Sequence, residues 1–213
     1  MPGLEELLTH PGIWRGREDG SPTVPTRPSG LAQLDQALRG GWPRGQLTEL
    51  IGGPFGSGET RMLLPVLAAC TRERRRVVLI APPATPWIPG WRQLGVNPEL
   101  LLLIRTATEA DAVWSCEQIL RQPGTGALLA WLHGTAGAPL RRLRLATGAG
   151  DACAFLYRPP AAARQPSPAH LRICWQGVGD HLRLEIIKQS GGGLPRNRPV
   201  MVPRNLLNQR CVP

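Results

Sequence analysis

The segment Gly53-Pro54-Phe55-Gly56-Ser57-Gly58-Glu59-Thr60 has the spacing GxxxxGK[ST], except that glutamate stands where lysine belongs. A loop of this spacing between a strand and a helix cradles phosphate with its backbone N–H groups. The lysine neutralises the β and γ charges, and the hydroxyl holds magnesium. Glu59 turns that attraction into a repulsion. A unit charge at ~4 Å is worth on the order of 4 kcal/mol at an effective dielectric of about 20, enough to remove most nucleotide affinity. Gly53, Gly58, Glu59 and Thr60 therefore read as a vestigial nucleotide loop, and the alternative is a plain strand-to-helix turn. Pro65 is expected to kink the helix that follows. His10, His133, His170 and His181 and the scattered acids assemble no hydrolase or metal pattern. No catalytic residue, metal or cofactor is expected. The five cysteines include no CxxC pair, which suits reduced, buried thiols.

The elements that would position this loop alternate along the chain. Short apolar runs at 47–51, 77–81, 101–105, 127–132 and 152–157 read as buried strands. Thr108 with Asp111 is a capping-box-like start for a helix carrying Ala110, Val113, Trp114 and Leu120. Pro139 starts another helix through Ala146. Apolar strands separated by helices indicate an α/β fold, a mostly parallel sheet with helices on both faces. Residues 171–176 and 182–188 flank Gly177-Val178-Gly179-Asp180 and read as an added antiparallel hairpin. The expected organisation is an N-terminal docking helix and linker at 1–29, a core at 30–188 and a basic tail at 189–213 with little regular structure.

The formal net charge is +10, and Lys188 is the one lysine. Arginine-rich coding bias accounts for arginine over lysine. It does not account for the shortage of acids, so an anionic partner stays open. Arg141, Arg142 and Arg144 crowd one short helix, and Arg196, Arg198, Arg204 and Arg210 mark the tail. Each set suits nonspecific contact with DNA phosphates or an acidic partner, against the plainer reading of a solvated surface. Leu4, Leu7, Leu8, Ile13 and Trp14 form an apolar N-terminal element suited to docking on a partner, or on this chain's own domain. Trp114 and Trp131 read as core, and Trp87 and Trp91, in a proline-rich stretch, as an exposed contact patch. No apolar run reaches the ~18 residues of a membrane span. The N-terminus lacks a basic region followed by an apolar stretch. A cytoplasmic, nucleoid-associated location is the expectation.

From Ser29 to about Pro159 the chain resembles the core of the bacterial RecA recombinase. The segments Ser29-Gly-Leu-Ala-Gln-Leu-Asp-Gln-Ala-Leu38 and Gly41-Trp-Pro-Arg-Gly-Gln-Leu-Thr-Glu49 are similar to the lead into its P-loop. Trp91-Arg-Gln-Leu-Gly-Val96 is similar to the helix after its catalytic-glutamate strand. The departures fall on the ATPase parts. Glu59 replaces the lysine, Pro83 stands at the glutamate position, and Trp131 stands at about the magnesium-associated aspartate. In-line phosphoryl transfer then lacks electrostatic support. A RecA-like core so altered, with the LEELL…IWRG start, the RLRLA helix and the PSPAHLR–hairpin–GGGLP ending, resembles the ImuA family of translesion-synthesis accessory proteins. The resemblance implies a non-catalytic adaptor in damage-induced (SOS) mutagenesis. Its implied partners are an ImuB-type inactive Y-family polymerase, an error-prone replicative-type DNA polymerase, RecA and, nonspecifically, DNA; self-association is also open. Some relatives carry the label SulA, so a cell-division inhibitor is an alternative, and a divergent DNA-dependent ATPase is another.

Overall fold

Strand side chains alternate between two faces, and in the central strands both faces are dry. In β4 (Arg76–Ile80), Val77 and Leu79 enter one apolar cluster while Val78 and Ile80 enter a second on the opposite side. The computed structural model describes residues 24–56, 58–191 and 199–204. The docking residues Leu4, Leu7, Leu8, Ile13 and Trp14 and the tail arginines Arg196, Arg198 and Arg210 lie outside them, as does Cys211.

The protein is α/β with a mixed, mostly parallel sheet of eight strands. Besides β4, the strands are β3 (Gln46–Gly52), β5 (Leu101–Ile104), β6 (Thr125–Trp131), β7 (Cys153–Arg158), β8 (Leu171–Val178), β9 (His181–Gln189) and β10 (Val200–Pro203). Their spatial order is β10-β9-β8-β3-β7-β6-β4-β5. The run from β8 through β3 to β5 is parallel, while β8–β9 and β9–β10 are antiparallel.

Helices α1 (Ala32–Ala37) and α2 (Leu64–Arg72) contribute Leu34, Val66, Leu67 and Cys70 to the first cluster. The chain after α3 (Ile88–Gln93) adds Leu94 and Val96. Helices α4 (Glu109–Arg121) and α5 (Ala138–Thr147) cover the other face with Val113, Cys116, Leu120, Leu140 and Leu143. The expected cap on α4 is present: Thr108 Oγ1 accepts from Asp111 N at 3.1 Å and donates to its carboxylate at 2.7 Å.

Four expectations are corrected. Pro65 does not kink a helix, because a 3-10 turn at Arg61–Leu63 precedes it and α2 begins around it, where the missing N–H has no intrahelical partner to lose. Trp114 is not core: it is 63% exposed, since Ala112, Val113, Cys116 and Leu120 define the buried face of α4. The segment after Gln189 is not all irregular, because β10 extends the hairpin through Val200↔Leu184 and Val202↔Leu182. Finally, residues read as linker include β1 (Thr26–Arg27), which pairs with β2 (Trp42–Pro43). Arg27 is buried there and donates to Glu73 at 2.6 Å.

Cys70, Cys116 and Cys153 are buried free thiols. Burial pushes those of Cys116 and Cys153 up to about 12, which makes them inert.

The N-terminal ends of the strands carry partly exposed ion pairs. Asp151 accepts from Arg75 and Arg44, and its carboxyl is held far below the usual range, first by the Arg75 bond. Glu73 is lowered first by its bond from Arg27. A depressed folded value means the unfolded chain binds protons first as pH falls. The stabilisation is therefore complete above the ordinary carboxyl range of about 4 and is lost as pH drops through the lower folded values. Thermal melts should show the midpoint falling steadily as pH drops from about 5 to below about 4. A midpoint that rises on acidification through that window would contradict these pairs.

Candidate functional site: a closed loop over an aromatic stack

The loop after β3 follows the expected path from strand to helix. Gly56 and Gly58 adopt φ of +93° and +99°, conformations that other residues enter only with strain. A Cβ at either would meet nothing, so backbone geometry alone asks for glycine there. Gly52 is needed for space, since a Cβ would lie 2.4 Å from the Trp175 carbonyl oxygen.

Glu59 is where the loop departs from a phosphate cradle. Its side chain does not reach into solvent; the residue is 4% exposed. The carboxylate turns back and accepts from Gly56 N at 2.9 and 3.1 Å. A negative group of the chain itself thus occupies a backbone N–H that a bound phosphate would use.

Beneath this loop lies a stack of rings. Trp131 lies against Tyr157 with centroids 4.7 Å apart and planes 13° apart. Phe55, from the loop, is edge-on to Tyr157 at 6.3 Å and to His133 at 6.2 Å, and lies 6.3 Å from Trp175. The Tyr157 hydroxyl lies 3.4 Å from the Glu59 carbonyl oxygen, and burial first of all raises its pKa well above the ordinary phenol value. The ends of β3, β6, β7 and β8 therefore meet in apolar rings.

A second carboxylate does at β6 what Glu59 does at β3. Glu109, at the start of α4, accepts from His133 N at 3.1 Å and from Gly134 N at 2.9 Å, and also from the Thr135 hydroxyl. Burial alone would raise its carboxyl; the bonds from Thr135, Gly134 and His133 outweigh that and hold it below the usual range.

Between the two loops runs a buried ion cluster. Glu49 in β3 is fully buried and accepts from Arg158 Nη1 at 2.7 Å and from Arg172 Nε at 2.6 Å. Arg158 also donates to the Thr135 carbonyl, and Arg172 donates to the Ala162 carbonyl at 2.7 Å. Burial lowers the Arg158 pKa, against the attraction of Glu49 and Glu109. The cluster pins the chain after β6 and the 3-10 turn at Pro160–Arg164 onto the sheet. The sequence reading singles out none of Glu49, Glu109, Arg158 and Arg172. A charged residue inside an apolar strand was the available signal for Glu49 and Arg172.

The remaining sequence-predicted residues are dispersed. Pro83 is exposed in the chain between β4 and α3. Trp87 is 66% exposed at the N-cap of α3, while Trp91 packs against the first core cluster, so the two do not form one exposed patch. Arg141 and Arg142 are exposed on α5, Arg144 is half-buried there, and Arg142 Nε donates to Glu117 at 2.7 Å. Arg204 lies apart from them, after β10, where its N–H donates to the Asp180 carbonyl at 2.8 Å. No family model matches the chain.

Proposed function

We propose that the chain is a non-catalytic, RecA-like accessory protein of damage-induced translesion DNA synthesis, of the ImuA kind. The observation that carries the non-catalytic part is the Glu59 carboxylate closed onto Gly56 N above the Trp131–Tyr157 stack. Such a site offers a polyanion a negative charge and a filled N–H, and offers a metal no carboxylate at Trp131. The RecA-like part is supported by the glycine loop following β3 and by the position of that strand. β3 sits inside the sheet between β7 and β8, and β4 and β5 lie beyond β6.

A protein of this kind works through surfaces. Its partners in this reading are an ImuB-type inactive Y-family polymerase, an error-prone replicative-type polymerase and RecA. Arg141, Arg142 and Arg144 on α5, and Arg204 after β10, are the candidate phosphate contacts within the described residues. The test is affinity purification of the tagged chain from DNA-damaged cells, with nuclease treatment before elution. Recovery of an inactive Y-family polymerase, the error-prone polymerase or RecA is the expected result. Recovery of the division-ring protein without any polymerase would overturn it.

A further inference from the structure

We infer that β5 is a pairing surface between two copies of this chain, joined antiparallel about a two-fold axis at Leu102. β5 is the last strand of the sheet and bonds to β4 alone among the described strands. Edge strands of folded proteins are usually blunted by charge, proline or a covering element, because their free backbone groups template further pairing. β5 reads Leu-Leu-Leu-Ile, with no charge or proline in the strand, and among the described strands none but β4 pairs with it. Leu102 and Leu103 point to opposite faces of the sheet, yet both are exposed, at 42% and 38%. Arg105 donates to Thr85 Oγ1 at 2.6 Å, which brings the chain bearing exposed Trp87 to the end of the same strand.

The flanking charges select the occupant. Exposed Glu99 precedes the strand and exposed Arg105 follows it. The Glu99 carboxylate has no cation partner among the described residues, although its N–H is taken up by Asn97. An acid at one end and a base at the other make the edge its own electrostatic complement once reversed. Antiparallel pairing centred on Leu102 sets Leu101 against Leu103 of the second copy and brings Arg105 to the Glu99 end. Leucine meets leucine at the centre, and opposite charges meet at both ends. A parallel arrangement would put like charges together. The pairing is isologous and closes, giving a dimer and not a fibre.

The test is sedimentation velocity of the full chain over a wide concentration range, with circular dichroism to check each variant's fold. The wild type should associate to a dimer. Leu103→Lys should leave it monomeric. Glu99→Arg and Arg105→Glu should each weaken dimerisation by about tenfold, since like charges then meet at both ends. The combined Glu99→Arg, Arg105→Glu chain should recover the wild-type constant. The inference fails if the wild type stays monomeric throughout, if the Leu103→Lys dimer is as tight as wild type, or if the combined swap does not restore association. None of these outcomes depends on which polymerase, if any, the chain serves.

Discussion

Replacing Glu49 by alanine is expected to cost the fold about 3–5 kcal/mol, because it leaves two guanidinium groups buried without their shared anion. Arg158 is fully buried and Arg172 nearly so. The retained bonds to the Thr135 and Ala162 carbonyls partner only part of each fork. A loss of that size is a large share of the ~5–15 kcal/mol that typically separates folded from unfolded chains. Urea unfolding followed by tryptophan fluorescence measures it. Glu49→Gln keeps an acceptor but not the charge, and should fall between wild type and Glu49→Ala. Replacing Glu49, Arg158 and Arg172 together by apolar residues of similar volume should recover most of the stability, since the cluster then holds no buried charge. If Glu49→Ala costs less than about 1 kcal/mol, the cluster is far better hydrated than its burial implies.

The same cluster shows what sequence can and cannot tell about this fold. The parallel strands are legible because runs such as Val77–Ile80 are apolar on both faces, which only a sheet covered on both sides requires. The start of α4 is legible because capping is local: Thr108 and Asp111 are three residues apart. The exposure of Trp114 is not legible, because a helix face is decided by all its apolar positions together, and Ala112, Cys116 and Leu120 outweigh one large ring. The role of Pro65 is not legible, because a helix boundary moved by a few residues turns a breaker into a starter. In the candidate site, the glycine loop and the anomaly at Glu59 are visible as spacing. What Glu59 does with its charge is not visible, since that depends on the loop turning its own carboxylate onto Gly56 N. Glu49 is 109 residues from Arg158 and 123 from Arg172. No local pattern joins them, and the pairing exists only because β7 and β8 flank β3.

Converting Glu59 to lysine is expected to raise the loop's affinity for nucleotide above that of the wild type. In the wild type an incoming phosphate must displace a carboxylate from Gly56 N and then sit beside it. At ~4 Å and an effective dielectric of about 20, each unit of charge contributes on the order of 4 kcal/mol. The substitution changes the local charge by two units and releases the N–H. Solvent screening and the lost internal hydrogen bond, about 1–2 kcal/mol, offset part of that. A gain of about 100-fold or more over wild type, which is near 3 kcal/mol, is a conservative expectation. Isothermal titration with Mg-ATP measures it. Glu59→Gln tests the charge alone, because its amide oxygen can still accept from Gly56 N; it should bind more weakly than Glu59→Lys and more tightly than wild type. Neither variant should hydrolyse ATP faster than the wild type, since Trp131 remains stacked on Tyr157 and adds no acid to the site. A folded Glu59→Lys chain with no gain in affinity would mean that the aromatic rings, and not the Glu59 carboxylate, close this site. Wild-type affinity equal to that of Glu59→Lys would mean that the carboxylate yields readily, and the loop would then have to be treated as a working nucleotide site.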